Sequence, residues 1–245
     1  MLKQSDIVVT NPPFSLFSAF VAQLLKHRKK FLIIGNTNSI TYKEIFPHIK
    51  DNKLWLGCTN FNVGMFFEVP DSWKKYHHID EETGRKIARV STSCWYTNLD
   101  HGRRHQPLSL MTMADNLKFS RNLRGKSAYD RYDNYDAIEV GTYKEIPSDY
   151  DGVMGVPVTF LDKYNPDQFE IVGTLESSDP DNPYRTRWYS AQDQKDAFVR
   201  RFGKAGNIPL NMSGVINDVK VYKRILIRHR RPSKPMRNTK KCTPR

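Results

Sequence analysis

Three cysteines in 245 residues, Cys58, Cys94 and Cys242, are too few and too widely spaced for a disulfide framework or a zinc ligand set. No apolar run approaches the ~20 residues of a membrane-spanning helix, and the N-terminus lacks a charged segment followed by an apolar one, so neither a membrane span nor a secretory leader is expected. Acidic residues are missing from one region altogether. Between Lys220 and Arg245 there are eleven Lys/Arg and no Asp/Glu, leaving 28 basic against 26 acidic residues in the rest of a chain whose net charge is +13. The body is nearly neutral and the tail carries the field. Such a tail either solubilises the protein or contacts a polyanion through phosphates. These absences point to a metal-free cytoplasmic protein, and an apolar content of 38% is enough for a packed core.

The N-terminal third has the order strand, helix, strand, helix. Ile7-Val8-Val9-Thr10 reads as a short buried strand of a parallel sheet, closed by Pro12-Pro13. Ser15 is a candidate N-cap, and Phe17, Phe20, Val21, Leu24 and Leu25 recur at helical spacing before the cationic Lys26 to Lys30. Phe31 to Ile34 forms a second buried strand, stopped at Gly35-Asn36. Thr41 to Glu44 has capping-box spacing for a helix through Ile49. The order predicts part of a doubly wound α/β sheet. Beyond residue 60, strands are expected at 65–69, 89–97, 108–113, 137–140, 153–161, 169–172 and 221–228, and a polar helix at 195–201. A boundary falls near residues 115–135. The expected organisation is a catalytic-loop region over 1–120, a strand-rich region over 121–231 that completes the sheet and serves target recognition, and a flexible basic tail over 232–245.

Asn11-Pro12-Pro13-Phe14, between the first strand and the first helix, carries the chemistry. An exocyclic amine of a base is a poor nucleophile because its lone pair is delocalised into the ring. Two acceptors aimed at its two N–H bonds hold it and favour a pyramidal nitrogen. The Asn11 side-chain oxygen supplies one acceptor and the Pro12 carbonyl the natural second. The prolines fix the backbone and contribute no N–H, and Phe14 can stack on a base rotated out of a duplex. The alternative is that Pro-Pro only ends a strand and Asn11 satisfies local backbone groups.

Beyond this loop, Asn52 to Gly57, Cys94 to His101, Tyr132 to Val140, Asp149 to Ile171 and Tyr222 to Arg228 make the chain resemble the adenine-specific DNA methyltransferases of the EcoRI modification-methylase family over nearly its whole length. The resemblance implies a Rossmann-like methyltransferase sheet, of which this is the C-terminal part. It also implies transfer of a methyl group from S-adenosylmethionine to adenine N6 in double-stranded DNA, in a restriction–modification setting. By it, Asn11, Pro12, Pro13 and Phe14 are the catalytic residues and the following helix borders the cofactor pocket. Relatives of this type carry a glycine-containing cofactor loop before the catalytic loop, whereas only ten residues precede Asn11 here. Gly141, Gly152 to Gly155 and Gly203 to Gly206 are weak substitutes. The expectation is an N-terminally truncated form whose cofactor half is missing or supplied by a separate chain. Its alternative is a non-catalytic DNA-binding remnant. A methyltransferase of a protein glutamine or of RNA is a third reading, for which nothing downstream of the loop speaks.

Arg103, Arg104, Arg185, Arg187, Arg228, Arg230 and Arg231 are the candidate DNA contacts, the 185–189 stretch because it interleaves cations with aromatics. Gly125-Lys126-Ser127 lacks the first glycine and leading strand of a P-loop. Gly102 and Pro107 argue against a helical metal pair at His101 and His105, and the Tyr129 to Asp136 run reads as a structural loop.

Overall fold

The computed structural model describes residues 4–59, 61, 63–133, 135–174, 191–206, 212–217 and 219–230. In chain order its elements are β1 (Ile7–Thr10), α1 (Phe17–Lys26), β2 (Lys30–Asn36), α2 (Phe46–Lys50), β3 (Trp55–Leu56), β4 (Met65–Val69), β5 (His78–Ile79), β6 (Lys86–Val90), β7 (Ser93–Thr97) and α3 (Met113–Phe119). Then follow β8 (Ala137–Glu139), β9 (Val153–Pro157), β10 (Phe169–Thr174), α4 (Ala191–Phe202), β11 (Met212–Ile216), β12 (Val219–Tyr222) and β13 (Arg224–His229). The fold is mixed α/β, with several sheets and few helices. Among the described residues no helix is long and apolar enough to cross a membrane.

The first sheet has the order β1-β2-β7-β3. β1 and β2 are parallel, with Val8 beside Phe31, and β7 runs antiparallel to both β2 and β3. α1 buries Phe17, Val21 and Leu24, the stripe its periodicity specifies. A second sheet, β10-β13-β9-β8, contains one parallel pair, β8 with β9. β4, β6 and β5 form a small separate sheet inserted between β3 and β7, and β11 pairs with β12. One continuous buried cluster joins Phe17, Phe31, Ile33 and Tyr96 of the first sheet's layer to Ile138, Met154, Phe169 and Ile227 of the second. It includes Leu123 and Tyr129, so it crosses the 115–135 segment.

Several expectations need correction. β1 is not a buried strand: Ile7 and Val9 are 51% and 64% exposed, and among the described residues β1 has a neighbour on one side only. Ser15 does not cap α1. The Leu16 N–H bonds the Pro13 carbonyl at 2.9 Å, tightening Phe14–Leu16 into a 3-10 turn whose last residue, Leu16, is the cap position of α1. The Thr41 hydroxyl bonds the Asn38 carbonyl at 3.1 Å instead of opening a helix, and α2 begins only at Phe46, with a proline in its first turn. Residues 89–97 divide between two sheets at Ser91-Thr92, and 221–228 divides between β12 and β13. Residues 108–112 join no sheet, and α3 starts at Met113 with Thr112 as its cap, accepting from the Asp115 N–H at 3.1 Å. The polar helix at 195–201 is found, within α4.

Candidate active site

The carboxyl ends of the parallel strands β1 and β2 form one rim of the first sheet, the place where open α/β sheets bind ligands. Asn11 to Phe14 leave β1 at this rim. Pro12 is buried and anchors the loop, while Asn11, Pro13 and Phe14 are exposed. Neither the Asn11 carboxamide nor the Pro12 carbonyl has a hydrogen-bond partner among the described residues. Asn11 therefore does not serve local backbone groups, and two acceptors stand uncommitted beside an exposed aromatic ring.

The loop is held from behind. Phe17, the first residue of α1, is fully buried and packs on Tyr96 of β7 at 4.9 Å between ring centroids. A side chain at position 35 would collide with both rings, so Gly35 on β2 is required for this close approach. The Tyr96 hydroxyl bonds the Asn36 carbonyl at 2.9 Å. Burial holds this phenol well above its ordinary pKa, and pushes the neighbouring Cys94 thiol up to about 12. Cys94 is a structural thiol, not a nucleophile. Asn36, which accepts from the Asn38 N–H at 2.8 Å, opens the turn that follows β2. The Thr37 N–H bonds the Thr92 carbonyl at 2.8 Å, tying that turn to the start of β7. Gly35-Asn36, expected from the sequence to stop the strand, belongs to β2 instead, and the two residues pair with Cys94 and Ser93 of β7. The support from Tyr96, 60 residues away, carried no local signal.

A cofactor cradle of the strand–glycine–helix type is not found among the described residues. Gly141 follows β8 but leads to a short 3-10 turn. Gly155 lies inside β9, and Gly203, with φ of +66°, follows the last turn of α4. The described residues do not fit the adenosyl donor by themselves.

The cationic candidates are dispersed. Arg104 is only 7% exposed, pairs with Asp100 at 2.9 Å, bonds Asn52 and lies 3.6 Å from the centroid of the Trp55 ring. Arg103 pairs at 2.7 Å with the buried carboxylate of Asp162 and bonds the Cys58 carbonyl. Both guanidinium groups are engaged within the protein, because a buried carboxylate needs a counter-charge and Arg104 is sandwiched against an indole. Arg228, half-exposed, pairs with Glu170 at 2.9 Å, and Arg230 reaches the Phe169 carbonyl at 3.2 Å. Arg185, Arg187 and Arg231 lie outside the described residues, as does the basic tail. Tyr129, Tyr132 and Tyr135 are all buried, so the tyrosine-rich run is structural.

Comparison with known proteins then gives a consistent result. The model of the family described as adenine-specific methyltransferase EcoRI matches residues 1–230. The type II methyltransferase M.EcoRI of Escherichia coli is 51% identical over 175 residues, 70% of this chain and 51% of that protein. M.MgeORF184P of Mycoplasma genitalium and M.MpnI of Mycoplasma pneumoniae, also type II methyltransferases, are each 42% identical over 190 residues, 76% of this chain and 56% and 55% of theirs. The chain spans about half the length of these curated relatives. No solved structure matches it.

Proposed function

The chain belongs to the EcoRI family of adenine-specific methyltransferases, and on that premise we propose that it is the catalytic-loop part of an enzyme that methylates adenine N6 in duplex DNA, with S-adenosylmethionine as donor. A cytoplasmic restriction–modification setting belongs to the same reading. The observation that carries it is the pair of uncommitted acceptors, Asn11 Oδ1 and the Pro12 carbonyl, at the carboxyl rim of a parallel strand pair.

Once a base is extruded, these two oxygens accept from the two N–H bonds of its amine. Both bonds are then fixed and the nitrogen is favoured in the pyramidal state, with its lone pair free for an activated methyl group. Phe14 stacks on the base, and buried Pro12 keeps the loop from relaxing away. The sheet order, a parallel pair followed by one antiparallel strand and its outer neighbour, supports a C-terminal part of a Rossmann-like sheet. The unpaired apolar edge of β1 supports a further strand docking there, where a cofactor-bearing half or separate chain would join. The region organisation over 1–120, 121–231 and 232–245 is kept in this reading, the second region serving target recognition. Its DNA contacts are sought among exposed cations such as Arg228 and Arg230 and the basic residues from 231 onward, not at Arg103 and Arg104.

The lack of a glycine cradle among the described residues favours one second reading, a DNA-binding chain without catalysis of its own. Nucleoside analysis separates the two. Duplex DNA treated with the complete enzyme and S-adenosylmethionine should yield N6-methyldeoxyadenosine. Asn11→Ala should lower the yield at least about a hundredfold while duplex affinity stays within about threefold. Wild-type yield in the variant would remove Asn11 from the mechanism, and a different methylated base would overturn the specificity.

A further inference from the structure

β3 delivers the chain to the carboxyl rim of the first sheet, and β7 takes it back from the same rim: Ser93, at the start of β7, pairs with Asn36 at the end of β2. The intervening β4-β6-β5 sheet is therefore an arm rooted at the edge that bears Asn11. Phe66 and Phe67, successive residues on opposite faces, are exposed, and the His77 and His78 rings lie against Phe66 at 5.5 and 6.2 Å between centroids.

The connection from β4 into β5 reads Ser72-Trp73-Lys74-Lys75-Tyr76-His77 and runs on into His78-Ile79 of β5. Every residue in it is exposed, Trp73 at 54% and Tyr76 at 45%, and no acid occurs between Asp71 and Asp80. Neither Lys74 nor Lys75 has an acidic partner among the described residues, in contrast to Arg85, which pairs with Glu68. The loop has internal supports. Lys86 of β6 bonds the carbonyls of Asp71 and Trp73 and sits 5.2 Å from the centroid of the Tyr76 ring. The His77 N–H bonds the Ile87 carbonyl at 2.7 Å. The imidazoles of His77 and His78 share a hydrogen bond at 3.0 Å. Lys74 and Lys75 are the two ammonium groups of this segment. Cations without an acidic partner, interleaved with exposed aromatics, complement a phosphate backbone.

We propose that this arm is a sequence-independent clamp on duplex DNA, with Lys74 and Lys75 neutralising backbone phosphates and Trp73 packing on the sugar–base edge, so that the duplex is held against the rim that carries the Asn11 loop. The inference rests on the reading of the chain as a duplex-DNA methyltransferase and assigns DNA contacts to a segment remote in sequence from the basic tail.

The experiment is duplex binding by fluorescence anisotropy across salt concentrations, with the full chain and with Lys74→Ala/Lys75→Ala. Both side chains are solvated, so circular dichroism and melting should be unchanged. Loss of two phosphate contacts should flatten the slope of log affinity against log salt by about 1.8 and weaken all duplexes alike, by on the order of a hundredfold at 50 mM salt. Binding should quench tryptophan fluorescence of the wild-type chain, and Trp73→Phe should reduce that quenching. Unchanged affinity and slope would overturn the clamp and leave the methyltransferase reading standing. A loss confined to one DNA sequence would overturn its sequence-independent character. Failure of the wild-type chain to bind any duplex would overturn the clamp together with the DNA reading.

Discussion

Arg224 shows how single residues lock the second sheet. Its guanidinium pairs with Glu139 at 2.6 Å, and the same carboxylate accepts from the Tyr132 hydroxyl. The aromatic ring reaches Glu139 only because Gly155, on the intervening β9, has no side chain: a Cβ there would lie 2.8 Å from the ring. Burial, followed by the Glu139 charge, drives the Tyr132 phenol far above its ordinary range. All three groups are mostly shielded, so removing one partner leaves a buried charge uncompensated. Arg224→Met should destabilise the fold by about 3 kcal/mol, and adding Glu139→Gln should restore much of the loss. Urea unfolding of the two variants measures this, and an unaffected single variant would show that water already serves Glu139.

At the scale of elements, the arm depends on its neck. Gly64 has φ of +82°, and a Cβ there would stand 2.8 Å from the Ser91 Cα and the Val90 carbonyl. Gly64→Ala combines a left-handed backbone with a backbone collision, which should cost about 1–3 kcal/mol locally. Hydrogen exchange should show faster amides across β4 and β6 while β2 and β7 keep their protection. Uniform loss of protection would mean that the arm and the first sheet unfold together. Element type was legible where one strong signal acted alone, as in α1 with its apolar stripe. It was misread where local chemistry competed: Thr41 has a capping-box spacing but spends its hydroxyl on the Asn38 carbonyl, and the apolar run ending at Met113 lacks a strand partner.

For the whole molecule, charge is partitioned between a nearly neutral body and a basic C-terminal segment. Deletion of residues 232–245 should weaken duplex binding about equally for all sequences and reduce its salt dependence. Competition between unrelated duplexes checks this, and a sequence-selective loss would give the tail a reading role. The arm and the tail are remote in sequence, and independent phosphate contacts from the two should add in log affinity.

The sequence alone determined the β-α-β order, the helix stripe and the Asn-Pro-Pro-Phe loop, because each is written in neighbouring residues whose spacing and backbone restrictions are local. Its family was also legible, from motifs spread over most of the chain. Only the tertiary structure decided that β1 is an exposed edge, that Tyr96 and Gly35 brace Phe17 behind the loop, and that Arg103 and Arg104 are committed to Asp162, Asp100 and Trp55. Only the structure roots the β4-β6-β5 arm at the rim that bears the Asn11 loop. These outcomes depend on which partner a strand or a charge meets across tens of residues, and such pairings are set by packing and counter-charge, not by local pattern.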